Sequence, residues 1–133
     1  MGYTHYWYQP VKAKITKEEW NGLTAEATKI IAAAKLDGIR LGGWDGEGAP
    51  KINTKEISFN GIGCNSHETF RLERRPKQAE YRKDDPEIFN CCKTAQKSYD
   101  AVVVSILALA RDTLGDRIRV SSDGEDKAIK RVY

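Results

Sequence analysis

Hydrophobic and polar positions along this chain follow three regimes. The longest apolar stretch, Ala101-Val102-Val103-Val104-Ser105-Ile106-Leu107-Ala108-Leu109-Ala110, is interrupted only by Ser105 and closed by Leu114-Gly115-Asp116. It predicts a helix over about 98–114 that is apolar on nearly every side and so lies at the centre of the fold. A second helix is announced by Thr16-Lys17-Glu18-Glu19, a capping box in which Thr16 accepts from the Glu19 backbone and the Glu19 carboxylate reaches back to the cap. Trp20, Leu23, Ala27, Ile30, Ile31 and Ala34 then recur at helical spacing, Lys17, Glu26, Lys29 and Lys35 fall off that stripe, and Gly38 stands just past the end.

Period-two segments supply the strands. Residues 3–8 place Tyr3, His5 and Trp7 on one face and Thr4, Tyr6 and Tyr8 on the other, with Pro10 closing the run. Large rings on both faces predict an inner strand, one face on helices and the other lining something partly polar. Short strands are expected at 39–41 and 56–59, then at 67–72 with Glu68, Phe70 and Leu72 sharing a face, after a long connection opened by Asn60-Gly61. Residues 87–92 read as a strand entering the core, 117–120 as the last strand, and Ser121-Ser122-Asp123-Gly124 as a turn. Four glycines and Pro50 within 42–50 predict a mobile loop, and the charged segment 74–86 an exposed one, basic first and acidic last. The order β-α-β-β-β-β-α-β describes one α+β domain over 1–133, a largely antiparallel sheet with two helices, ending in a charged, loosely held tail at 125–133.

Composition narrows the class. A chain of 133 residues buries roughly two thirds of its unfolded surface without a covalent staple. No apolar run approaches the ~20 residues that span a bilayer, so no membrane partner is expected. The opening Met1–Trp7 has neither the basic nor the apolar part of a secretory signal, and Cys64, Cys91 and Cys92 have no disulfide-framework spacing, which together predict a reduced, cytoplasmic setting. The net charge of +3 is too small to argue for nucleic acid from the total; the basic stretch Arg71, Arg74, Arg75, Lys77, Arg82 and Lys83 matters more.

Candidate chemistry concentrates where the apolar helix begins. Lys93, Thr94, Lys97 and Ser98 combine ammonium and hydroxyl donors with the unpaired N–H groups of a helix start, an arrangement that suits phosphate or carboxylate. It is not a P-loop, because the glycines of GxxxxGK[ST] are absent. Ordinary capping accounts for Thr94, Ser98 and Asp100, but not for the two lysines. His5, between Tyr3 and Trp7, is either a group that stacks on a flat ligand or exchanges protons with it, or a buried histidine satisfied by the backbone. Zinc is discounted: Cys64 and His67 would need Cys91 and Cys92, and adjacent cysteines on a strand face opposite ways. Cys92 stands before a helix start, where a thiol pKa falls, yet inert burial is the better reading. Nothing in the pattern calls for a metal or a cofactor.

The strings Gly2-Tyr3-Thr4-His5-Tyr6-Trp7, Cys92-Lys93-Thr94-Ala95 with Lys97 and Tyr99-Asp100, and Val120-Ser121-Ser122-Asp123-Gly124 together resemble a group of small, uncharacterised phage and bacterial proteins. The resemblance implies a phage origin and, by analogy, a counter-defence factor that sequesters a nucleotide signal or blocks a host protein. The leading expectation is therefore a binding protein for a phosphate-bearing, nucleotide-like small ligand. Lys93, Thr94, Lys97 and Ser98 would hold the phosphate, Arg71 would assist, and His5, Tyr6 or Trp7 would stack on the flat part. Two alternatives stand beside it: a phosphoester hydrolase or transferase using His5 as acid or base, and an inhibitor that contacts a host protein.

Overall fold

Local signals in the sequence become elements in the computed structural model, which describes residues 3–123. Strand β1 runs Thr4–Pro10, helix α1 Lys17–Leu36, β2 Lys51–Ile52, β3 Glu56–Phe59, β4 Phe70–Glu73, β5 Glu87–Lys93, helix α2 Asp100–Leu114 and β6 Arg119–Ser122. The strands form two three-stranded antiparallel sheets, ordered β5-β1-β6 and β2-β3-β4, so the class is α+β.

The capping box starts α1: the Glu19 N–H donates to Thr16 Oγ1 at 3.1 Å, and Glu19 Oε1 accepts from the Thr16 N–H at 3.0 Å. Trp20, Leu23, Ala27 and Ala34 are its buried stripe, and Gly38 takes the left-handed φ of +87° that ends a helix at no steric cost. Helix α2 buries residues all round, from Val102, Val103 and Val104 through Ile106, Leu107 and Ala110 to Leu114, as its unbroken apolar run requires. Between the sheets, the Trp7 ring lies 5.1 Å from Phe70, which lies 5.1 Å from Phe59, an aromatic ladder from β1 to β3.

Strand β1 is central in its sheet, with His5, Trp7 and Gln9 buried and Thr4, Tyr6, Tyr8 and Pro10 half-buried, the two-faced pattern its rings predict. Other expectations need correction. Residues 39–41 form no strand: after Gly38 the chain makes only the isolated bridge Gly42–Asn60, and the outer position in that sheet goes to β2, paired with Ile57 and Ser58. The strand expected from His67 begins at Phe70, because the Asn60 side chain has captured the backbone of His67, donating to its carbonyl at 2.9 Å and accepting from its N–H at 2.9 Å. Strand β5 does not enter the core; it is an edge strand on which only Cys92 is buried.

The last strand also starts later than expected. Gly115–Arg117 make a 3-10 turn, and Arg117 closes it by donating to the Leu114 and Lys14 carbonyls and to Glu19. Ser121 and Ser122, expected in a turn, are strand residues opposite Tyr6 and His5. Gly124 and the tail 125–133 lie outside the described residues. The glycine-rich segment is irregular, as expected, and is held by backbone bonds Gly43 to Glu47, Gly46 to Gly43 and Gly63 to Gly46. Among the described residues no helix is long and apolar enough to cross a membrane.

Candidate functional site

The approach to α2 is a tight turn built from residues that resist it. Ala95 and Gln96 both adopt left-handed φ, +52° and +59°, and the Lys97 N–H closes the turn on the Thr94 carbonyl at 3.0 Å. Two successive non-glycine residues in that region carry strain of order 1–2 kcal/mol each. What the turn achieves is the burial of Thr94, whose N–H donates to the Tyr3 carbonyl at 2.9 Å. Its hydroxyl then donates to Asp100 Oδ1 at 2.5 Å, and the same oxygen takes a bond of 2.6 Å from His5 Nε2.

The negative charge that a helix start attracts is therefore supplied by the chain itself. Asp100 occupies the place where the sequence invites an external anion. No side chain caps α2 at its N-cap residue Tyr99, and Ser98 is exposed. Lys93 and Lys97 are half-buried and, among the described residues, make no ion pair.

The expected ligand set is consequently divided. His5 and Thr94 meet, but both are fully buried and engaged with Asp100, and His5 offers no exposed atom to a substrate. Tyr6 and Trp7 point to opposite faces of β1. Lys93 pairs with Thr4 and so shares the face of Tyr6, while Arg71 stands on β4, 3.7 Å from Glu56. Cys92 lies beneath His5 with its thiol 3.4 Å from the Glu68 carbonyl, and burial, aided by Glu68, pushes it up to about 12. The lowered pKa that a helix start can give a thiol is not realised there.

Two of the expected residues do converge elsewhere. Strands β4 and β5 are the facing edges of the two sheets, joined only near Lys93, where the Glu68 N–H donates to its carbonyl at 3.2 Å and Glu68 Oε1 accepts from its N–H at 2.7 Å. Beyond that junction the edges part around a cleft of about 350 Å³ lined by Trp7, Trp44, Thr69, Arg71, Asn90 and Cys91. Trp7 is 1% exposed and its indole N–H, itself buried, finds no partner among the described residues. Trp44 is 74% exposed on the rim, anchored by the Thr69 hydroxyl, which donates to its carbonyl at 2.9 Å.

No protein-family model matches the chain, nor does any curated protein or solved structure. The assignment of a site therefore rests on chemistry. A cleft of about 370 Å³ beside Gln9 holds several cations, but Arg117 there is bound to Glu19 and the Arg74 Nε–H to the Ile15 carbonyl. A roomier cleft, about 470 Å³, sets Glu56 and Glu73 among its cations and has no aromatic ring. Only the cleft between β4 and β5 combines two indoles, a guanidinium, an amide and a hydroxyl among the described residues of these three. Trp44, Thr69 and Asn90 were not anticipated; a tryptophan set among four glycines was the one signal that pointed to the first of them.

Proposed function

We propose that the protein binds a flat, phosphate-bearing, nucleotide-like small molecule in the cleft between β4 and β5. The observation that carries this is the lining of that cleft: Trp44, 74% exposed, shares one open space with the Arg71 guanidinium, the Asn90 amide and the Thr69 hydroxyl, over a floor made by Trp7. Trp44 supplies an exposed aromatic face, Asn90 and Thr69 supply amide and hydroxyl groups for the edge of a heterocycle, and Arg71 supplies the fork that phosphate prefers. The volume lies at the lower end of the ~300–1,000 Å³ common for ligand sites, which favours a single nucleotide or smaller. With His5 sealed in the core, the ligand is held rather than turned over, and the protein acts by sequestering it.

Calorimetry against linear and cyclic mononucleotides tests this. Trp44→Ala and Arg71→Ala alter exposed side chains and should each weaken binding at least tenfold, the scale of a lost stacking or charged hydrogen-bond contact of about 1.5–3 kcal/mol. Trp7→Phe should weaken it less while keeping the aromatic floor. Ligand recovered unchanged after long incubation is the expected result. Absence of binding to every nucleotide, or binding indifferent to both surface substitutions, would remove the proposal.

A further inference from the structure

The sheet β5-β1-β6 has a second face, turned away from the core and separate from the floor of the cleft. Along β1 the buried residues His5, Trp7 and Gln9 alternate with Tyr6 and Tyr8, which stay partly exposed. Across the pairing, Phe89 lies opposite Tyr8 on β5 and Arg119 opposite Tyr8 on β6, so these side chains rise on that same outer side. The rings form one patch: Phe89 is stacked on Tyr6 at 6.0 Å and tilted against Tyr8 at 5.2 Å. Guanidiniums sit on it, Arg119 3.9 Å above the Tyr8 ring and Arg82 5.4 Å from Phe89, and Lys93 stands at the far end of β5.

Cross-strand aromatic pairs do stabilise sheets, and that alone accounts for Tyr8 with Phe89. It does not account for three rings gathered on one outward face and rimmed by cations. Three carboxylates are present: Glu87, 2.8 Å from Arg119, Asp123, which accepts from the Tyr6 hydroxyl at 2.9 Å, and Glu68, which accepts from the Lys93 backbone N–H at 2.7 Å. Arg82 and Lys93 are without an ion pair among the described residues. An aliphatic protein surface would find little to match here, whereas a chain of π-faces joined by phosphates matches both the rings and the cations.

We infer that this outer face is a stacking platform for single-stranded nucleic acid. Tyr6 and Tyr8 are two residues apart on one strand, about 6.6 Å along it, within the reach of one extended nucleotide. One base rests on Tyr6 with Phe89 and the next on the Arg119 guanidinium plane that caps the Tyr8 ring, while the connecting phosphates meet Lys93 and Arg82. The strand reads no sequence, because every base has a π-face. The two sites adjoin at Cys91, which lies opposite Tyr6 and also lines the cleft, but Trp44 and Arg71 stand on the cleft side alone, so Trp44→Ala and Arg71→Ala leave the platform unchanged.

Fluorescence anisotropy of labelled oligothymidylate and oligouridylate with the full chain tests the inference. Two phosphate contacts give a slope of log K against log salt of about −1.4 between roughly 50 and 200 mM. Arg82→Ala should lower that slope by about 0.7 without affecting folding, since its side chain is exposed. Tyr8→Ser and Phe89→Ser should each weaken binding by roughly 5- to 150-fold, the equivalent of about 1–3 kcal/mol per stacked base. Equal affinity for the two oligomers assigns the platform to stacking alone, and preference for oligouridylate assigns it to RNA. The inference is overturned if neither oligomer binds, if a duplex of the same length binds as tightly, or if Arg82→Ala and Lys93→Ala leave affinity and salt slope intact. It is likewise overturned if the face proves to hold a second copy of the chain, seen as self-association that Tyr8→Ser abolishes without any oligomer bound.

Discussion

Asp100→Ala removes the carboxylate that the start of α2 holds in place of an external anion. Two buried donors depend on one oxygen, the His5 ring at 2.6 Å and the Thr94 hydroxyl at 2.5 Å. A hydrogen bond to a charged group is worth about 1.5–3 kcal/mol net, and the helix start forfeits a further ~0.3–1 kcal/mol of dipole compensation. The substitution also leaves His5, whose Nδ1 already lacks a partner, with neither ring nitrogen bonded inside the core. Against this, the Asp100 side chain is 21% exposed, so water can enter the space and recover part of the loss. The balance is a destabilisation of about 2–4 kcal/mol, or roughly 8–15 °C in Tm for a domain of this size. Asp100→Asn keeps an acceptor in the same place and should lose about half as much. Urea unfolding followed by tryptophan fluorescence measures both, and a cycle with His5→Gln should return a coupling of about 1–3 kcal/mol. A change below about 0.5 kcal/mol would refute the structural role. A gain in stability would refute it more sharply, since it is residues kept for function that commonly stabilise a protein when removed.

Ala95→Gly and Gln96→Gly should each stabilise by about 0.5–1 kcal/mol in thermal unfolding, because glycine takes the observed positive φ without strain, offset by its greater unfolded-state freedom. On the acid side, the hydrogen bonds from Arg117, then the Thr16 backbone, hold Glu19 down from its ordinary 4.5 to about 2. The folded state thus binds fewer protons than the unfolded one; the pair stabilises fully above about pH 5 and is lost as pH falls from there toward 2. Glu19→Gln should flatten that limb of a Tm-against-pH curve, most visibly between about pH 2 and 5. In thiol titration, Cys64 and Cys91 are exposed and should react with an aromatic disulfide reagent, while Cys92, buried and raised to about 12, should react only on unfolding.

Helices were the legible part of this sequence because each carried its own local signature. Thr16 and Glu19 bond to one another within a single turn, and the run through Val104 and Leu107 leaves no polar face to expose. The faces of β1 were legible for the same reason. Pairings were not: the Asn60 side chain shortens β4 by capturing the His67 backbone, and β4 is tied to β5 through Glu68 and Lys93, 25 positions apart. At the site, Asp100 could be seen to complement the helix start, but not that its partner is His5, ninety-five positions away.

The parting of the two sheets links the fold to the proposed sites. Continuous pairing of β4 with β5 would have satisfied both edges and closed the space above Trp7; a split leaves an open cleft whose floor is the inner face of β1. That inner face carries three buried polar atoms without partners, His5 Nδ1, Trp7 Nε1 and Gln9 Oε1, spaced two residues apart. His5 and Gln9 each make a compensating bond through another atom, to Asp100 and to the Glu73 carbonyl at 3.1 Å. Trp7 has none, and it is the one of the three beside the cleft between the sheets. Its ring is fixed by Phe70 from the core side, so the unsatisfied group is held in position rather than free to rotate toward a partner. A packing role alone would be served by phenylalanine at this position with no donor to satisfy. The indole instead leaves the inner face of β1 with a donor that finds no partner among the described residues, at a cost of about 1–3 kcal/mol, so Trp7→Phe should hold or raise the urea midpoint rather than lower it.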